Sequence, residues 1–361
     1  MSSFPHLVAS AMLLSASLSA NAQTVVEDYI PGLTPEGITY FLPETHIRFV
    51  LTATRHVHTA GEYAVFAERY LGITDAPMEN FENWTLDDIE VIPFGIPDKT
   101  KAFTIALNPK SSAPLVTLTP DGLLLAINTE TEQPEELPVP SKTIVSKPTV
   151  NAKEFLTPDI IRASTRSKKA ELTAQEIYDI RENRILLAKG QADFNPTDGE
   201  QLKAMFHQLD AAEQALLSLF TGTETVERHT MVVDYCPKTS DNGGLLFRFS
   251  KYLGLVDIDD MAGEPYTLEV KNTTKLPDEN IDPKAAKKKE KPDVRYCVPG
   301  RAQLILLHNG TAIAKADVSI AQFGNTEHLG GELFNKKFNT EVLLNSVTGN
   351  IEKIRNSAMP E

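Results

Sequence analysis

The sequence lacks the short motifs that announce common chemistry. Its 361 residues contain no Gly-x-Ser-x-Gly elbow, no Gly-x-x-x-x-Gly-Lys loop, no Gly-x-Gly-x-x-Gly and no His-Glu-x-x-His. These absences weigh against common serine hydrolases, nucleotide binders and zinc peptidases. Tryptophan occurs once, as Trp84, and aromatics make up 7% of the chain. An aromatic sugar-binding platform is therefore not advertised, although Asn83-Trp84 and Tyr29 could supply one. Basic residues are outnumbered, and the net charge of −14 repels nucleic-acid phosphates and anionic membrane surfaces. No apolar run approaches the roughly 20 residues that span a bilayer, so neither nucleic acid nor a transmembrane segment is expected.

Cysteine is scarce too. Cys236 and Cys297 stand in similar settings, Tyr235-Cys236-Pro237 and Tyr296-Cys297-Val298-Pro299. In an oxidising compartment such a pair is a disulfide candidate; the alternative is two buried thiols acting as small hydrophobes. No neighbouring His or Cys-x-x-Cys spacing marks either as a nucleophile.

The first residues do carry a signal. Leu7 to Leu18 is a short apolar run followed by Ala20-Asn21-Ala22, the small-x-small pattern of a signal-peptidase site. Residues 1–22 are thus expected to be a signal peptide cut between Ala22 and Gln23, with the mature protein periplasmic, surface-associated or secreted. The n-region has no Lys or Arg, which is off-pattern. No Cys follows the run, so a lipid anchor is not expected.

The rest divides into three parts. Residues 23–151 read as a β-rich domain with one short helix: strands at Ile38–Ala53, Ile89–Phe94 and Phe103–Leu107, a helix at Gly61–Leu71 ending on Gly72, and a hairpin turning at Pro120-Asp121-Gly122. Asn128–Asn151 reads as a linker or extended edge. Residues 152–229 read as a helical hairpin. Thr173-Ala174-Gln175-Glu176 and Thr197-Asp198-Gly199-Glu200 are capping boxes, and Gly190 and Gly222 are stops. Leu202, Met205, Phe206, Leu209, Ala212, Leu216, Leu219 and Phe220 recur at helical spacing. That stripe is expected to pack on β structure. Residues 230–361 return to strands, with Asn309-Gly310 as the strongest hairpin turn and Leu276–Pro292 as a charged surface insert. The fold class is therefore α+β, with two β-rich, sandwich-like, mostly antiparallel parts and an inserted antiparallel αα-hairpin. Ile38-Thr39-Tyr40-Phe41-Leu42-Pro43 echoes Val294-Arg295-Tyr296-Cys297-Val298-Pro299, a faint hint of duplication.

Several stretches together carry a family resemblance: Tyr40-Phe41-Leu42-Pro43, Tyr63–Gly72, Thr117–Asn128 and the hairpin ending in Leu219-Phe220-Thr221-Gly222. Asp259-Asp260-Met261-Ala262-Gly263-Glu264-Pro265 and the stretch from Pro299-Gly300-Arg301 to Gln322-Phe323-Gly324 belong to the same set. Over nearly the whole mature chain they resemble an uncharacterised exported domain-of-unknown-function family of the Bacteroides group. The resemblance implies export but brings no catalytic residues. Cys297, where an aliphatic residue is expected, departs from it.

Two local constellations suggest metal ligands. His56-Val57-His58 puts two imidazoles on one strand face, with His46 and Glu62 near in sequence; the alternative is a pair of exposed strand-end histidines. Asp257-Ile258-Asp259-Asp260 with Glu264 offers hard oxygens for calcium, without the glycine of an EF-hand turn; the alternative is a solvated turn or helix cap. The reading reached is a non-enzymatic envelope protein that binds or scaffolds another envelope protein or glycan, without a cofactor. The competing reading is a glycan or peptide hydrolase with a carboxylate site assembled from distant residues.

Overall fold

A computed structural model describes residues 26–30, 37–106, 115–146, 151–194, 196, 198–239, 242–274, 293–330 and 338–358. The cleavage site at Ala22 and Gln23 and the whole charged insert Leu276–Pro292 lie outside these residues.

The chain is rich in antiparallel strands. The first sheet has the order β1-β3-β2-β7-β6, from β1 (Val26–Asp28), β2 (Gly37–Thr59), β3 (Phe81–Ala106), β6 (Ser141–Ser146) and β7 (Thr223–Tyr235). The second has the order β12-β11-β10-β8-β9, from β8 (Gly243–Ser250), β9 (Gly254–Val256), β10 (Glu264–Asn272), β11 (Val294–His308) and β12 (Thr311–Leu329). The third has the order β14-β13-β5-β4, from β4 (Val116–Leu118), β5 (Leu124–Ile127), β13 (Phe338–Leu344) and β14 (Ile351–Ala358).

Alternation decides what each long strand does. Ile47, Phe49, Leu51 and Ala53 of β2 point one way and meet Phe247, Leu268, Leu304 and Phe323 of the second sheet in one core. Nearer its start, β2 sends Tyr40 and Leu42 into a second core with Leu124, Ile127, Cys297 and Val342. Residues of the amino- and carboxyl-terminal β segments thus share both cores. β7 pairs with β2, and β13 pairs with β5.

The echo between the two Tyr-containing stretches has a structural counterpart and a limit. Both β2 and β11 shift register beside the shared proline, at Phe41/Pro43 and at Val298/Gly300. Their burial phases are opposite: Tyr40 and Leu42 are buried, whereas Val298 is exposed and Cys297 is buried.

The short α2 (Pro158–Arg162) and the long helices α3 (Arg166–Ala188) and α4 (Gly199–Thr221) form the helical part. Arg181 pairs with Glu213 and Arg184 with Asp210, a descending match that makes the two helices antiparallel. Helix α3 begins earlier than its sequence suggests. Thr165 caps it, and Thr173 lies inside, buried, donating its hydroxyl back to the Lys169 carbonyl at 2.8 Å. Asp198 caps α4 by accepting from Glu200 N–H.

The expected docking of the α4 stripe on β structure is corrected. Leu216 and Phe220 pack with Ala170, Ala174 and Ile177 of α3 and with Tyr63 and Ala67, which come from the connection between β2 and β3. That connection holds the short α1 (Ala67–Leu71). Close approach explains the preference. Tyr63 N–H donates to the Leu219 carbonyl at 2.6 Å, and a Cβ at Gly61 would overlap that same carbonyl oxygen.

The expected Cys236–Cys297 disulfide is corrected as well, since both residues are thiols. Cys297 turns into the second core, where burial pushes its thiol up to about 11. Cys236 follows Tyr235, whose ring packs on the first core, so alternation turns Cys236 to the outer face of the first sheet.

Candidate functional site

Basic residues converge at one place in this acidic chain. A cleft of about 470 Å³ lies where the end of β1, the last stretch of β3 before Ala106 and the paired strands β11 and β12 meet. Asp28 and Tyr29, Lys99 to Phe103, Arg295, Thr326 and His328 line it. Arg295 is 8% exposed, yet it stands on a strand between the core residues Val294 and Cys297. A charge so placed needs compensation. Its main chain supplies part of the setting: Arg295 N–H donates to the Tyr40 hydroxyl at 2.9 Å. Burial raises the Tyr40 phenol well above its usual range, so Tyr40 stays a neutral hydroxyl.

The Arg295 guanidinium lies 6.0 Å from the Phe103 ring centroid, and its Nη1 is 2.6 Å from His328 Nε2. Arginine only donates, so Nε2 must accept and the His328 proton sits on Nδ1. Lys101 pairs with Asp98 at 3.4 Å, and Lys99 is exposed at the rim. Asp28 is the one carboxylate lining the cleft among the described residues. Chemically the arrangement suits an anion: a planar guanidinium beside an aromatic ring, with two lysines on the neighbouring strand, one of them at the rim.

A second charged cluster closes one end of the first core. Glu227, 8% exposed, accepts from Lys142 Nζ at 2.8 Å, Arg55 Nη1 at 3.1 Å and His229 Nε2 at 3.2 Å. Arg55 also pairs with Glu82 and lies 5.7 Å from the Trp84 ring centroid. Hydrogen bonding from Lys142, above all, holds Glu227 down at about 2, from an ordinary 4.5. This carboxylate therefore contributes stability above pH 4.5 that fades as pH falls toward 2. Solvent around Lys142 screens the effect, leaving about 1–2 kcal/mol. Denaturant titrations between pH 5 and pH 3 should show the loss, and Glu227→Gln should flatten it.

The residues singled out from sequence fall elsewhere. His56 and His58 share the outer face of β2, as alternation requires. His56 Nδ1 lies 2.7 Å from Glu224, while His58 stacks on Phe81 with centroids 4.8 Å apart and its Nε2 buried without a hydrogen bond. Asp257 and Asp259 sit in the β9–β10 loop. There the Asp257 carbonyl accepts from Asp260 N–H, and the Asp260 carboxylate accepts from Ala262 N–H. Arg248 clamps that loop through the Ile258 and Gly263 carbonyls, at 2.7 and 3.0 Å. Sequence reasoning missed Lys99, Lys101, Arg295 and His328. The one available signal was a charged Arg295 inside the otherwise apolar stretch Val294 to Val298.

Residues 36–352 match a family described as Domain of unknown function (DUF4831). No curated protein and no solved structure matches the chain.

Proposed function

We propose that this chain, which belongs to that family, is an exported, non-enzymatic envelope protein that binds another envelope component through a carboxylate or phosphate group. Export rests on the Leu7–Leu18 run and Ala20-Asn21-Ala22. The two facing sheets act as a sandwich-like scaffold, and the inserted helical pair is an arm braced on the β2–β3 connection. One observation carries the binding reading: Lys99, Lys101, Arg295 and His328 gather around a single cleft of about 470 Å³ in a chain of net charge −14. Long-range repulsion disfavours polyanions at large, so the cleft selects a compact anionic group whose local hydrogen bonds overcome that field.

Titration calorimetry with inorganic phosphate and with a single hexuronic acid tests this. At least one should bind saturably and more weakly as salt rises. Lys99→Glu reverses a charge at an exposed rim position, so folding should be kept while affinity falls about tenfold. Failure of both probes to bind, or binding indifferent to Lys99→Glu, would overturn the assignment.

A further inference from the structure

We infer that Glu44, His46 and Cys236 form a divalent-metal site of the zinc class on the outer face of the first sheet. One ligand atom from each lies within 4.8 Å of the others, and all three residues are partly buried. Strand geometry produces the cluster. Glu44 and His46 are two apart on β2 and so share a face. Ile47 pairs with Tyr235, so Cys236 follows beside His46 on the neighbouring chain segment.

The donor set is the kind zinc takes: thiolate sulfur, imidazole nitrogen and carboxylate oxygen. Its spacing fits as well. Two ligand atoms at zinc–nitrogen and zinc–oxygen bond lengths stand about 3.4 Å apart on a tetrahedral edge. Glu44 Oε2 and His46 Nε2 are 3.3 Å apart. Three protein ligands leave a fourth position for water or a substrate atom, the pattern of an open site. The Phe94 ring, 5.7 Å from the His46 ring, walls one side and also lines a groove of about 680 Å³.

The backbone behind the ligands is held unusually firmly. Thr45, between Glu44 and His46, is fully buried. Its N–H donates to Gln322 Oε1 at 2.9 Å, and its carbonyl accepts from Gln322 Nε2 at 2.8 Å. The same Nε2 donates to the Pro237 carbonyl at 2.8 Å, next to Cys236. One side chain therefore ties both ligand-bearing segments together before any ion arrives. Such support fixes ligand geometry and raises affinity. On binding, the metal–sulfur bond forms as the Cys236 thiol releases its proton to solvent; the Nε2 proton that His46 shares with Glu44 moves to Nδ1 through solvent, and the Glu44–His46 contact gives way to two metal bonds.

Cobalt(II) and zinc titrations of the chelator-stripped full chain test this. One equivalent should bind, cobalt should give a thiolate charge-transfer band, and zinc should displace it. Cys236→Ser should abolish the band, and His46→Gln should weaken affinity about tenfold or more. Gln322→Ala, a positioning change, should keep the band but weaken affinity about tenfold. Should a variant misfold, the unaltered chain still decides. Zinc should slow labelling of Cys236 by a thiol reagent, while buried Cys297 stays unlabelled throughout. Absence of saturable binding, wild-type-like binding in both ligand variants, or Cys236 labelling unchanged by zinc would overturn the site.

Discussion

Phe220→Ala should lower the unfolding free energy by about 3–5 kcal/mol, the usual cost of deleting a buried aromatic side chain. Phe220 has no exposed surface and meets Tyr63 edge-on, with centroids 5.6 Å apart. It stands where α4, α3 and the β2–β3 connection converge, and the main chain one residue earlier already holds Tyr63. Little can move inward to fill the void, because the neighbours are fixed helices and a backbone contact. The loss should therefore fall near the upper end of the range, read as a shift of the urea midpoint at constant slope. Leu209→Asp should cost less, because Leu209 is only half-buried at the rim of the same cluster. Equal costs at the two positions would mean that the middle of α4 is covered as fully as its last turn.

How much of this was legible in the sequence depends on whether the deciding interaction was local. The Asn309-Gly310 turn was legible because both residues need positive φ, and they have it, at 50° and 76°. The end of α4 was legible because Gly222 acts within one turn of the helix, and its start was legible to within one residue, Asp198 capping it where the box pointed to Thr197. Strand β3 was not. Ile89–Phe94 and Phe103–Leu107 read as separate strands, yet one 26-residue strand, β3, holds Ile89–Phe94 and the start of the second, Pro93 and Pro97 included. Among the described residues the far side of β3 pairs only with β1, at Phe103–Ile105, so the two prolines lie along an edge where a missing N–H breaks no described ladder. The partner of the α4 stripe was illegible for a related reason. It is a short connecting segment, Tyr63 to Ala76, not a sheet. The basic cleft joins residues nearly two hundred positions apart, and the Glu44–His46–Cys236 cluster depends on β2 pairing with β7. No spacing rule reaches that far. The two cysteines misled because their sequence settings match while their burial phases differ.

Thr45→Val should cost about 3 kcal/mol, although it keeps the shape of the side chain. The Thr45 hydroxyl donates to the Val347 carbonyl and accepts from Ala321 N–H, both at 2.9 Å. Removing it strands a buried donor, worth about 1–3 kcal/mol when left unmet, and a half-buried acceptor that costs less. Burial leaves no room for water to replace the hydroxyl, since Thr45 has no exposed surface and Ala321 is a core residue. Thr45→Ser keeps both hydrogen bonds and should cost only about 1 kcal/mol for the lost methyl. Gln322→Ala removes the other pair of contacts to Thr45, at its N–H and carbonyl. Because the two side chains hold one strand position, their effects should not add: once either lets β2 relax, the other has less left to lose. Chemical denaturation of the metal-free chain, with both single variants and the double, reads this directly. Strict additivity would mean that Thr45 and Gln322 brace the strand independently, and the rigid support argued for Glu44 and His46 would then rest on Gln322 alone.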